Sequence, residues 1–108
     1  AVSLSADGTT VAIGAYYNDG NGNNAGQVRV YKYDATKTAA QWNDQSQSNY
    51  GPVGWNRVGS DIDGKKANEY NGMSVSLSAD GTIVAFGALN SGNRYMAGAT
   101  RVYYYVSQ

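Results

Sequence analysis

The feature that most constrains this chain is an internal repeat. Residues 2–15 read VSLSADGTTVAIGA and residues 75–88 read VSLSADGTIVAFGA, with 12 of 14 positions identical at a spacing of 73 residues. A chain of 108 residues has room for one small domain. A repeat of this length therefore makes the domain from two related supersecondary units rather than from one irregular core.

Each unit divides into short segments of strand character. Val2 and Leu4 alternate with Ser3 and Ser5, the period-two pattern of a strand with one apolar face. Asp7-Gly8 supplies a tight turn, because Asp-Gly accommodates the left-handed conformations that hairpins use. Thr9–Ala15 returns antiparallel, with Val11, Ile13 and Ala15 on one face. A polar loop, residues 16–26, leads to a third strand at Gln27–Tyr33. A fourth is expected over Trp55–Ile62, after an excursion at residues 34–54 that has no amphipathic period. The second unit repeats the first three strands, and its third offers an edge from Ala99 to Val106 for a partner strand.

The expected fold is all-β: antiparallel β-propeller blades, about two of them, in a larger or oligomeric propeller. Residues 1–71 form the first blade-like unit with its insertion at 34–54, and residues 72–108 the second, incomplete one. A blade has two apolar faces and cannot bury both alone, so further blades, in the same chain or in neighbouring subunits, are the expected partners. Closure is expected by one of three routes: as a segment of a longer propeller, as a trimeric ring, or by strand exchange. A β-sandwich built from a duplicated hairpin is the alternative architecture. Gly14 and Gly87 suit close approach between units, and Arg29 and Arg101, at equivalent repeat positions, suit a shared structural bond to a carboxylate such as Asp7 or Asp80.

Asn71-Gly72-Met73-Ser74-Val75, Gly14-Ala15, Gly87-Ala88 and Gly26-Gln27-Val28-Arg29-Val30-Tyr31 together resemble the FG-GAP repeats of integrin alpha-chain propellers. They resemble still more the FG-GAP-like repeats of microbial and algal surface proteins. The resemblance implies blades of a secreted or cell-surface protein with structural or adhesive work. It departs from the family where Asn71 replaces Phe and where the proline of Gly-Ala-Pro is missing. The family's calcium loop lies between the first two strands. Here Ser5 and Ala6 precede Asp7 without further carboxylates, so that role does not carry over to Asp7 or Asp80.

Composition narrows the chemistry. Eight basic and eight acidic residues give no net charge, and nothing resembles the basic grip of a nucleic-acid binder. Histidine and cysteine are absent, removing thiol chemistry, the commonest general base and the commonest neutral zinc ligand. No apolar run is long enough to span a membrane as a helix. No cofactor is expected except calcium, for which Asp19, Asn21 and Asn23 are the candidate ligands through their alternate spacing in NDGNGNN. Asp61 and Asp63 form a carboxylate pair without a visible cleft between opposed acids. Trp42, Tyr103 and Tyr105 are candidate ligand-binding aromatics, flat apolar faces with polar edges that suit a sugar.

Three functions follow in order: a non-enzymatic structural or adhesive module, a lectin-like carbohydrate-binding module, and a glycoside-processing enzyme fragment. Glycans or another surface protein are the expected external partners.

Overall fold

A computed structural model describes residues 1–15, 25–64, 69–88 and 99–104. Among them the fold is all-β, with antiparallel strands throughout and no helix. The strands are β1 (Val2–Leu4), β2 (Thr10–Ala15), β3 (Gln27–Tyr33), β4 (Trp55–Arg57), β5 (Ile62–Asp63), β6 (Ser74–Leu77), β7 (Ile83–Ala88) and β8 (Ala99–Tyr104). They form two open sheets. The first runs β1-β2-β3-β4 with β5 also on β3, and the second runs β6-β7-β8.

The duplicated sequence folds in duplicate. Val2 pairs with Ile13 in β1–β2, and Val75 with Phe86 in β6–β7. Both hairpins turn through a glycine in the left-handed region, Gly8 at φ +74° and Gly81 at φ +76°. The turns close alike: Ser5 N–H donates to Thr10 O at 2.9 Å, and Ser78 N–H to Ile83 O at 2.8 Å. Asp7 and Asp80 organise these turns from within. Each Oδ1 accepts from the backbone N–H and hydroxyl of the residue two ahead, Thr9 or Thr82, and from the hydroxyl of Ser5 or Ser78. That is an Asx turn, and it gives an Asp in this place a structural role through Oδ1.

The sheets stack face to face around Ala12, Val28, Val30 and Ile62 from the first and Val84 and Phe86 from the second, with Val58, Val75 and Leu77 at the margin. The covered face of β2 is therefore the one carrying Thr10, Ala12 and Gly14, and the face carrying Val11, Ile13 and Ala15 lies outside with Val2 and Leu4. Both faces carry apolar groups, and the second sheet lies on the one with smaller side chains. Small side chains allow close approach. A Cβ on Gly14 would sit 2.1 Å from Gly72 O, and one on Gly26 would sit 2.1 Å from Asn71 O. The joint between the units threads through this gap: Asn71, fully buried, donates its N–H to Ala25 O, and Gly72 N–H donates to Gly87 O. Gly87 has a looser setting than Gly14, since a Cβ there would meet only the Ser74 hydroxyl, at 2.8 Å.

The expected fourth strand is two strands. Arg57 opposes Tyr31 and Ile62 opposes Val28, so five steps along this segment match three along β3 and two residues loop out. Gly59, at φ +67°, permits the break. In the second unit β8 pairs only with β7 among the described residues.

The excursion contains turns and no helix. It folds back on itself through a bridge between Gln41 and Gly51. Lys37 pins it: its ammonium donates to Gly51 O at 2.9 Å, to Trp55 O at 2.8 Å and to Asn49 O.

Candidate functional site

The richest surface lies on the first sheet's outer face, turned away from the second sheet. Its polar half is built where β5 follows the break. Arg29 on β3 grips Asp61 with two parallel bonds, Nε to Oδ1 and Nη2 to Oδ2, each 2.7 Å. Arg57 adds Nη1 to Asp61 Oδ1 at 3.0 Å, and Gln27 spans Asp61 and Asp63 at 3.3 and 2.8 Å. The bidentate bond to Asp61 raises the Arg29 pKa above its ordinary value, so the guanidinium stays charged at all relevant pH. Tyr50 from the excursion lies over both cations, its ring 4.8 Å from Arg57 Cζ and 5.8 Å from Arg29 Cζ.

The apolar half is a groove of about 330 Å³ lined by Val11, Ile13, Tyr31, Trp42, Pro52 and Trp55. Tyr50 is edge-on to Trp42 at 5.2 Å, and Tyr33 is edge-on to Trp55 at 5.5 Å. Trp42 is held at one edge by Tyr50 yet remains 51% exposed. Chemically the groove offers flat apolar faces beside a fixed row of charged hydrogen-bonding groups, the combination that a sugar ring or an apolar side chain can use.

The structure separates several residues that the sequence groups. Trp42 lies on the outer face of the first sheet. Tyr103 instead stacks on Phe86 at 5.3 Å and borders a second cavity of about 350 Å³ with Gly59, Ser60, Asp61, Ile62 and Asp63. Tyr104 points to the opposite face of β8 from Tyr103, by strand alternation. The tyrosines of β3 and β8 therefore do not make one platform. Tyr105 lies outside the described residues, as do Asp19, Asn21 and Asn23. Among the described residues no three Asp or Glu side chains gather as a metal site would require.

The carboxylate partners of the repeated arginines are not Asp7 and Asp80, which are engaged in their own turns. Arg29 takes Asp61, and Arg101 takes the fully buried Glu69 at 3.1 Å, with Asn71 Oδ1 at 3.4 Å. Lys37, Tyr50, Arg57 and Glu69 are absent from the sequence-based candidates. Arg57 and Asp61 are four apart, a spacing that becomes informative only once the strand is known to break between them.

No protein-family model, curated protein or solved structure matches the chain. Among the described residues no helix is long and apolar enough to cross a membrane.

Proposed function

We propose that this chain is a non-enzymatic structural or adhesive module of the β-propeller type, formed by two FG-GAP-like blades of a secreted or cell-surface protein. One observation carries the reading. The two copies of the repeat are consecutive antiparallel meanders stacked with the same polarity, so that one face of the second unit covers the opposite face of the first. That is how successive blades of a propeller meet. Asp61 bonds three neighbouring side chains, and the module is read as holding surfaces in place rather than turning over a substrate.

Beads coated with the chain test this reading. Retention on other protein-coated or polysaccharide-coated surfaces, without chemical change of the surface, is expected. Release of soluble sugar from the polysaccharide, abolished by Asp61→Asn or Asp63→Asn, would replace it with the enzyme reading.

The groove at Trp42 favours a second reading, a lectin-like module whose ligand stacks against Trp42 and Trp55. A glycan array separates the two: binding to a defined glycan that Trp42→Ala abolishes identifies the lectin, and adhesion unchanged by Trp42→Ala identifies the scaffold.

A further inference from the structure

Residues at the same place in the repeat have opposite fates. Phe86 is 2% exposed and its counterpart Ile13 is 41% exposed. Val84 is buried and its counterpart Val11 only partly so, while Val2 and Leu4, at 68% and 58%, match the half-buried Val75 and Leu77. On the other side the order reverses. Val30 of the first unit is 1% exposed, and its counterpart Val102 is 63% exposed beside Tyr104 and Ile83.

These differences have one geometric cause. Each unit has a leading face, Val75, Leu77, Val84 and Phe86 in the second, and a trailing face, Ala12, Val28 and Val30 in the first. The internal interface consumes one of each. Val2, Leu4 and Ile13 on the leading face of the first unit, and Ile83, Val102 and Tyr104 on the trailing face of the second, are left exposed among the described residues. The excursion packs on the Tyr31 end of that leading face and borders Val11 and Ile13 across the groove through Trp42 and Pro52, leaving Val2, Leu4 and Ile13 exposed.

We infer that this chain binds a second copy of itself head to tail, the β1–β2 strip of one copy seating on the outer face of β7–β8 of the next. The contact repeats the part of the internal interface that β6 and β7 make, the β3 part being occupied by the excursion over Tyr31, and it rests on the blade reading above. It is heterologous: the two surfaces differ, so every bound copy still presents one of each, and growth continues until a ring closes. The balanced net charge places no long-range repulsion between copies.

The chain has no cysteine, which makes a clean test available. Ile13→Cys and Val102→Cys are prepared separately and then mixed under oxidising conditions. In the internal interface their counterparts, Phe86 and Val30, lie in one core cluster. A disulfide-linked dimer is expected in the mixture, at several times the yield of either variant alone. Equal yields in all three samples, or none, overturn the inference. A second arm reads mass in solution by light scattering. Wild type is expected to grow with concentration, whereas Ile13→Lys and Val102→Lys each remain monomeric alone and form a 1:1 dimer when mixed. Wild type that stays monomeric throughout, or a single variant that still self-associates, counts against head-to-tail pairing. Both substitutions lie on exposed positions, and unchanged circular dichroism verifies folding. Adhesion of coated beads by a chain that proves monomeric would leave the module reading standing and remove only this inference.

Discussion

Arg29 of β3 and Asp61, in the break just before β5, are joined by two bonds of 2.7 Å, and they meet because two residues loop out before Ile62. Asp61 is the shared acceptor of two cations, since Arg57 reaches it as well. Removing the acceptor therefore exposes two guanidiniums to each other, whereas removing Arg29 leaves Asp61 with Arg57. We expect Arg29→Ala to cost about 2 kcal/mol. Asp61→Ala should cost more, about 3 kcal/mol, because the Arg57 side chain is nearly buried. Arg29→Lys keeps the charge and loses the fork, so it falls between wild type and Arg29→Ala. Urea denaturation of the three variants gives the order directly.

Gly14 and Gly87 share a repeat position but not an environment. A methyl at Gly14 meets the backbone of Gly72, which cannot rotate away, whereas at Gly87 it meets a serine hydroxyl that can. Gly14→Ala is expected to lose about 1–3 kcal/mol or more, as overpacking does. Gly87→Ala should lose under about 1 kcal/mol, the sign depending on how far Ser74 yields. Equal losses in thermal melts would mean that the units do not approach each other at Gly14.

Among the described residues four turns use one device, Asp followed two residues later by Thr or Ser. In Asp34, Asp44 and Asp80 the hydroxyl of that residue, and in Asp7 its backbone N–H, is the leading cause that lowers the carboxyl pKa. A carboxylate with a depressed folded pKa stabilises above its unfolded value, near 3.9, and that contribution disappears as pH falls through the folded value. The melting temperature should therefore change little on going from pH 7 to about 5 and decline below about 4. Replacing Asp7 and Asp80 together by Asn keeps the acceptor oxygen and removes the proton. The double variant should melt lower than wild type at neutral pH and show a shallower acid decline, the two curves converging at low pH, and an identical decline would place the acid sensitivity elsewhere.

What the sequence reveals about this protein follows the range of the forces involved. The hairpins are legible because alternation of Val2 and Leu4 with serines, and the Asp-Gly turn, are local. The covered face of β2 is not, since Val11 and Ile13 are as apolar as any core pair and only the neighbouring sheet decides between them and Ala12. The break is marked only by the turn-favouring Gly59-Ser60-Asp61, which does not say how many residues loop out before pairing resumes at Ile62. The candidate site is less legible still. Trp42 is conspicuous by type, but its setting depends on Tyr50 and Lys37. Arg29 invites a partner that repeats with it, and the two arginines instead use acids from non-equivalent places.

Lys37 shows the same long-range dependence in testable form. Its ammonium serves carbonyls 12 to 18 residues away, at Asn49, Gly51 and Trp55, and so ties the excursion to the start of β4. A hydrophobic side chain of similar length cannot replace this, because three carbonyls lose a charged donor at once. Lys37→Met should cost about 1.5–3 kcal/mol locally, the range for hydrogen bonds to a charged group. The loss should be confined to the excursion, since Val28, Val30, Val84 and Phe86 pack without it. Tryptophan emission should shift to the red as Trp42 leaves Tyr50, and proteolysis should cut first within residues 38–50, while hydrogen exchange on β2 and β7 stays as slow as in wild type. Accelerated exchange on β2 and β7 would show that the excursion supports the whole stack rather than only the groove at its edge.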